Sequence, residues 1–156
     1  MDKLKRLLVP LLLSLLLPHL AIAVPYHGTL HIPAAQIEVR LYESDTQATA
    51  DAKNSATAFR CDGSWIIADH NNQEFRTLPD VGVYDMAWID KEDGKTVLLV
   101  CTDIFYGKNT GHEITDLSGR NVMGDHDYLM YTCRKGKGWR SVVVTQWVEV
   151  EIEDGS

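Results

Sequence analysis

The sequence predicts an all-β domain, either a barrel or a sandwich, with short helices. Most of the chain consists of short runs of β-branched and aromatic residues bounded by Gly, Pro, Asn or Asp, which is the pattern of strands separated by turns. A single stretch of helix-forming composition interrupts these runs, and strands and helices do not alternate as they would in a parallel α/β sheet. With 156 residues, the chain has room for one domain and a short leader.

The predicted elements follow the chain in a simple order. Strands are expected at residues 29–32 and 37–42, on either side of a Pro-containing turn. Residues 44–58 are rich in Ala and polar side chains and lack β-branched runs, which favours a helix or a helix-containing loop. The remaining predicted strands are 64–69, 85–90, 96–105, 128–133 and 141–153.

The last predicted strand shows the clearest alternation. Val148, Val150 and Ile152 alternate with three glutamates. Since successive side chains of a strand point to opposite faces, the aliphatic residues are expected to face a core and the glutamates to face water.

Residues 1–23 have the composition of an export signal. Three basic residues precede an almost wholly apolar run, and the Ala-Ile-Ala sequence at positions 21–23 has the small-x-small pattern that signal peptidases cleave. The apolar run is also as long as the shortest membrane-spanning helices, so a cleaved signal peptide and an uncleaved membrane anchor both stay open. Either one places the predicted domain, residues 24–156, outside the cytoplasm.

Charge and cysteine content limit the partners. The formal net charge is −7, and the leader carries three of the basic residues, so the domain itself is more acidic still. This balance argues against nucleic acid or an anionic lipid surface as a partner. The three cysteines form no C-x-x-C pair, and an odd number leaves at least one unpaired. Cys133 is expected to be free, while Cys61 and Cys101 form either a disulfide or two small buried apolar side chains.

Three polar residues at the ends of predicted strands form the candidate site. His70 follows one strand, Cys133 ends another, and Arg140 directly precedes a third. A thiolate nucleophile, an imidazole for proton transfer and a guanidinium that stabilises an oxyanion are the groups that acyl transfer requires. Arg134 is the alternative to Arg140, which is preferred because it directly precedes the Val-rich strand.

The order of these motifs resembles that of the sortases, the cysteine transpeptidases that attach proteins to the bacterial cell wall. GTLHIP at 28–33 resembles the opening G-x-I-x-I-P strand, and SWIIADH at 64–70 resembles the strand that delivers the histidine. LMYTC at 129–133 resembles T-L-x-T-C, and WRSVVV at 139–144 resembles the strand that begins with the arginine. Two positions depart from the family pattern, since Asp69 stands in place of Gly and Leu129 in place of Thr.

The resemblance implies a closed eight-stranded β-barrel with one or two short helices. It also implies that Cys133 attacks the carbonyl of an LPXTG-type sorting motif while His70 protonates the leaving amine. Arg140, assisted by Thr132, would stabilise the oxyanion. The expected partners are a surface protein with a sorting motif and the amine of a cell-wall precursor or a pilin. The expected location is the outer face of the membrane or the exterior of a Gram-positive-type bacterium.

A different class of function is also open. The departures at Asp69 and Leu129 are compatible with an exported β-barrel that binds a peptide or a cell-wall ligand and has lost catalysis. A calcium site could be built from the acidic residues between positions 103 and 127, but they contain no Asp-x-Asp-x-Asp-Gly loop. No metal and no cofactor are therefore predicted.

Overall fold

The computed structural model describes residues 23–151. The predicted leader lies outside these residues except for Ala23. Within the described range, no helix is long and apolar enough to cross a membrane. A single α-helix, α1 (Gln47–Asp51), is accompanied there by 3₁₀ segments at Pro33–Ala35 and Glu74–Asp80. The strands are β1 (Tyr26–Ile32), β2 (Ile37–Glu43), β3 (Ser55–Cys61), β4 (Ser64–Ala68), β5 (Met86–Asp90), β6 (Thr96–Asn109), β7 (Ile114–Thr115), β8 (Tyr128–Cys133) and β9 (Ser141–Val150).

Eight of these strands form a closed barrel. Their order is β5-β1-β2-β3-β4-β8-β9-β6, and the pairing of β6 with β5 closes the ring, while the short β7 adds to β6. The β2–β3 and β4–β8 pairs are parallel, and the other neighbours are antiparallel. The predicted all-β class, the closed eight-stranded barrel and the short helices are confirmed.

The strands bury apolar side chains on both of their faces. The barrel interior holds the larger cluster, which includes Leu30, Val39, Ile67, Met130 and Trp147. Alternate residues of β4, β8 and β9 point outward and build a second cluster against the 114–123 segment. Its members are Ile66, Ile114, Val122, Met123, Leu129, Val142 and Val144. The chain can therefore support a groove on the outside of β4 and β8 without exposing its main core.

Two predictions of local structure are wrong. Residues 55–58, expected to be helical, belong to β3, where the fully buried Ala56 and Ala58 pack between β2 and β4. Tertiary packing here overrides the low strand propensity of Ala. In β9, Trp147 fills the core, whereas Val150 is 40% exposed and Val148 half-buried. Both faces of β9 are buried from Val142 to Trp147, and the predicted Val and Glu alternation falls at the more exposed end of the strand. Ile152 lies outside the described residues.

The cysteines are not linked to one another. All three are free thiols. Cys101 is fully buried in the core, and burial raises the pKa of its thiol to about 11. Cys61 is half-buried at the end of β3. Of the two alternatives for this pair, the structure shows separate thiols, with Cys101 packed as a small apolar side chain.

The close approach of β6 to β7 gives a test of the fold. A Cβ atom at Gly107 would lie 2.6 Å from the Thr115 carbonyl oxygen and 3.1 Å from Val144 Cγ2. We predict that Gly107→Ala lowers the free energy of unfolding by about 1–3 kcal/mol, as overpacking typically does. Urea denaturation measures this. Gly82→Ala is the control, because its Cβ would meet nothing closer than 3.4 Å. Equal stability of the two variants would contradict the packing described.

Candidate active site

The parallel β4–β8 pair brings the candidate His and Cys together. Ala68 of β4 pairs with Tyr131 of β8. Two residues beyond this pair in each segment, the same register sets His70 beside Cys133. The two side chains lie on one face of the sheet, because every second side chain of a strand points the same way. Residues that are 63 positions apart in the sequence thus reach adjacent strand ends.

A buried hydrogen bond fixes this juxtaposition. The Thr132 hydroxyl donates to the Asp69 carbonyl oxygen over 2.8 Å, so the residues that precede Cys133 and His70 are joined directly. Thr57 of β3 donates similarly to the Ala68 carbonyl oxygen over 3.1 Å. The hydroxyl proton of Thr132 is therefore occupied in holding the histidine strand. Its side chain does not point a free donor at a substrate oxyanion.

His70 and Cys133 line the same groove, whose volume is about 790 Å³. One wall comes from residues 45–50 before and within α1, and the other comes from residues 109–114, from the end of β6 to the start of β7. Tyr131 and Trp139 complete the lining beside the thiol. Asp45, Asp69 and Glu113 contribute carboxyl groups, and no Lys or Arg of residues 23–151 lines the groove. The groove is therefore acidic in character.

The Cys133 thiol is half-buried and favours its protonated form. Burial raises the pKa of this thiol. Its Sγ donates a long hydrogen bond, 3.9 Å, to the carbonyl oxygen of Trp139 in the turn between β8 and β9. A thiol of this kind needs a neighbouring base before it can act as a nucleophile.

His70 is held by α1. Its Nε2 atom lies 2.7 Å from Asp51 Oδ1, and the Gln47 amide nitrogen donates to the same carboxylate oxygen over 2.8 Å. The amide of Gln47, first, and the imidazole of His70, second, hold the pKa of Asp51 below its usual value. In the part of the chain that the structure describes, no hydrogen bond joins His70 to Cys133.

The structure does not bring Arg140 into the groove. Its exposed guanidinium lies over the Trp139 ring, 5.1 Å from the ring centre. Arg134, the alternative, stacks on Tyr106 at 3.7 Å. Cys133 pairs with Val142 of β9, whereas Tyr106 pairs with the next residue, Val143. Successive side chains of a strand point to opposite faces, so Tyr106 and the Arg134 that stacks on it lie on the opposite face of the sheet from the thiol. Of the two arginines, Arg140 is the one beside the groove, since its neighbour Trp139 lines it.

Asp69 is a buried carboxyl group beneath the site. Its residue is 5% exposed, and Oδ2 accepts the Phe75 backbone N–H over 3.3 Å, while Oδ1 has no partner. Burial is the main cause that raises the pKa of Asp69 to about 7, and the charge of Glu74 adds to it. Hydrogen bonds from the backbone N–H groups of His70 and Phe75, together with the charge of His70, lower the pKa and offset part of this rise. The residue that departs from the sortase pattern is therefore a buried carboxyl group, which is protonated over much of the acidic pH range.

The described residues do not form a metal site in this region. Among residues 23–151, no group of three or more His, Cys, Asp and Glu side chains is arranged to hold a metal ion. Two of the acidic residues between positions 103 and 127, Asp116 and Asp125, form ion pairs with Arg120. Asp116, for example, accepts from the backbone and side chain of Ser118 and pairs with Arg120.

Sequence reasoning missed Asp51, Gln47 and Trp139. Asp51 and Gln47 lie four residues apart within the stretch predicted to be helical, which sets them on one face of a helix. Nothing in the sequence indicates that this face meets His70. Trp139 acts on Cys133 through its backbone carbonyl, which no residue pattern marks.

Solved structures share this fold, although no family model and no curated protein matches the chain. Sortase A from Corynebacterium diphtheriae superimposes with a TM-score of 0.64 at 15% identity, covering 87% of this chain and 66% of that chain. Sortase C1 from Streptococcus suis gives 0.65 at 13% identity, covering 97% and 83%. A Clostridium perfringens sortase D5 transpeptidase gives 0.61 at 14% identity, covering 81% and 79%.

The chain therefore has the sortase fold. The closed barrel, with its His and Cys strand ends in one groove, agrees with the fold that the sequence motifs implied. Against the Corynebacterium diphtheriae sortase A, this chain spans just under two thirds of the other protein's length.

The hydrogen bond between Thr132 and Asp69 is testable. We predict that Thr132→Val lowers the free energy of unfolding by about 1–3 kcal/mol, because it leaves a buried carbonyl without a donor. Thr102→Val is the matched control, since the exposed Thr102 also donates to a backbone carbonyl, that of Gln146, over 3.1 Å. Urea denaturation should give a clearly smaller loss for the control. Equal losses would contradict the role assigned to Thr132.

The buried Asp69 carboxyl predicts a pH dependence of stability. Its folded pKa, about 7, lies above the unfolded value of 3.8. The protonated Asp69 carboxyl thus makes its full contribution to the free energy of unfolding below about pH 4, and this contribution is lost as the pH rises through about 7. Relative to Asp69→Asn, the wild type should lose roughly 2–4 kcal/mol between these limits. Urea denaturation at several pH values measures the difference. Parallel curves for the two proteins would show that Asp69 titrates normally.

Proposed function

We propose that this protein is a sortase-like cysteine transpeptidase that acts outside the cytoplasm. The observation that carries the proposal is the meeting of His70 and Cys133 at adjacent ends of β4 and β8 in one groove. The sortase fold supports it, because the neighbours of that fold include transpeptidases. The export signal expected at residues 1–23 supports the location.

The first half of the reaction forms a thioester. His70 removes the proton from the Cys133 thiol, whose raised pKa keeps it protonated at rest. The thiolate attacks the carbonyl carbon of a peptide bond in an LPXTG-type sorting motif. When the C–N bond breaks, the protonated imidazole gives its proton to the departing amine. The acyl group then remains on Sγ, and the downstream peptide leaves with a free amino group.

Arg140 has the role of stabilising the oxyanion in this proposal. It leaves the exposed Trp139 ring and donates to the negatively charged oxygen of the tetrahedral intermediate. A stack of this kind on a solvent-exposed ring is worth only about 0.5–1 kcal/mol, so it is easily exchanged for a charge-assisted hydrogen bond. Thr132 contributes indirectly, because its hydroxyl holds the strand that carries His70.

The second half of the reaction transfers the acyl group to an amine. An amine of a cell-wall precursor or a pilin attacks the thioester, the C–S bond breaks, and an amide forms while the proton returns to Cys133 through His70. The carboxyl groups of Asp45 and Glu113 in the groove wall favour an acceptor that carries positive charge. Water in place of the amine would give hydrolysis.

A second candidate function is a binding module without catalysis. The observation that favours it is the resting arrangement, in which His70 bonds to Asp51 and Arg140 stacks on Trp139, so neither contacts the thiol. Such a protein would hold a peptide or a cell-wall ligand in the groove. A thioester on Cys133 is expected of the transpeptidase and is not expected of the binding module.

The decisive experiment detects the acyl-enzyme. The protein is incubated with a library of sorting-motif peptides, with hydroxylamine as a small amine acceptor, and is analysed by mass spectrometry. We predict a thioester on Cys133 and a peptide hydroxamate product. Cys133→Ala should lower turnover by roughly 10³-fold or more while the protein stays folded, because the nucleophile is lost.

Cys61→Ala provides the matched control, since Cys61 is also a half-buried free thiol but does not line the groove. This variant should retain the thioester and the product. If no peptide in the library acylates the wild type and Cys133 is also inert to a small alkylating reagent, the binding-module function takes the place of the transpeptidase.

A further inference from the structure

We propose that Asp51 is the positioning residue of His70, and that it leaves Nδ1 as the nitrogen that exchanges protons with Cys133 and the leaving amine. This inference rests on the proposed function and assigns a residue to the same site. It starts from the contact of Asp51 Oδ1 with His70 Nε2, 2.7 Å apart.

The hydrogen-bond pattern fixes which imidazole nitrogen carries the proton. An ionised carboxylate can only accept hydrogen bonds, so His70 Nε2 must donate to Asp51. The Gln47 amide group donates to the same oxygen over 2.8 Å, and the 2.9 Å separation between Gln47 Nε2 and His70 Nε2 follows from two donors sharing one acceptor. Exchanging the nitrogen and oxygen of Gln47 would set its amide oxygen against the Asp51 carboxylate oxygen, so the amide is assigned with its nitrogen toward Asp51.

The helix that carries Asp51 is itself fastened to the histidine loop. Gln73 Nε2 donates to the Asp51 backbone carbonyl over 3.4 Å, and the Asn54 backbone N–H donates to Glu74 Oε1 over 3.1 Å. Four residues after α1, β3 begins and pairs with β4, the strand that leads to His70. The contact lies at the surface, since the Asp51 side chain is 60% exposed, but it joins two segments that these backbone and side-chain hydrogen bonds also hold together.

The consequence concerns the direction of proton transfer. A neutral imidazole carries hydrogen on one nitrogen only, so Nε2–H leaves the Nδ1 lone pair free. Nδ1 accepts the proton from Cys133 Sγ, which gives an imidazolium beside the Asp51 carboxylate. Nδ1–H then passes this proton to the departing amine as the C–N bond breaks. Asp51 stays ionised throughout and stabilises the cation without taking its proton.

Two measurements test the assignment. The first is the ¹⁵N spectrum of His70 in the wild type without substrate, at a pH where the imidazole is neutral. We expect the Nε2-protonated tautomer in the wild type and a larger share of the Nδ1-protonated form in Asp51→Ala. A wild-type spectrum showing hydrogen on Nδ1 would overturn the assignment.

The second measurement is the transpeptidation rate of Asp51→Ala. Because Asp51 does not line the groove, kcat should fall by about 10- to 100-fold with little change in KM. Asp93→Ala is the matched control, since Asp93 pairs with Lys95 in the turn after β5, and it should leave both constants unchanged. An unchanged kcat in Asp51→Ala would refute a positioning role.

The outcomes also separate this inference from the proposed function. Nδ1-protonated His70 in an active wild type removes the role of Asp51 and leaves the transpeptidase in place. If His70 is protonated on Nε2 but the protein forms no thioester, the proposed transpeptidase function is wrong. The contact with Asp51 then has no role in catalysis.

Discussion

The hydrogen bond from the Thr132 hydroxyl to the Asp69 carbonyl is the interaction on which the site depends. Parallel strands cannot be joined by a tight hairpin, so the β4 and β8 ends are brought together only by the closed barrel and by contacts of this kind. The bond joins the residues that immediately precede His70 and Cys133. A slip of one residue in this register would turn one of the two side chains to the opposite face.

Burial determines the chemistry of the resting site. It raises the pKa of the Cys133 thiol, which favours its neutral form, and raises the pKa of the Asp69 carboxyl to about 7, which keeps that group protonated at acidic pH. The proposed reaction would then have to create a thiolate and an imidazolium within a half-buried groove. Asp51, whose pKa is lowered by its hydrogen bonds with Gln47 and His70, supplies the fixed negative charge beside the imidazole. The negative charge that would stabilise an imidazolium therefore lies on the α1 side of His70.

Much of the fold could be predicted from the sequence because most strands have strong local signals. The strand ending at Cys133 was predicted with the bounds that the structure shows. The failures occur where tertiary packing outweighs local preference, as in β3, where small Ala side chains fit between two strands. Of the site, strand-end residues such as His70 were visible, since polar residues that follow apolar runs stand out. Asp51 was not, because its meeting with the histidine depends on how α1 folds back toward β4.

The most direct test of the central claim is the pH dependence of Cys133 alkylation. The rate of iodoacetamide modification at this residue, followed by peptide mass spectrometry, is compared between the wild type and His70→Gln. If the β4–β8 register makes one reaction centre, the wild-type profile contains a step from imidazole ionisation that the variant lacks, because the charge on His70 changes the reactivity of the neighbouring sulfur. Superimposable profiles would show that the two strand ends act independently and would contradict the account.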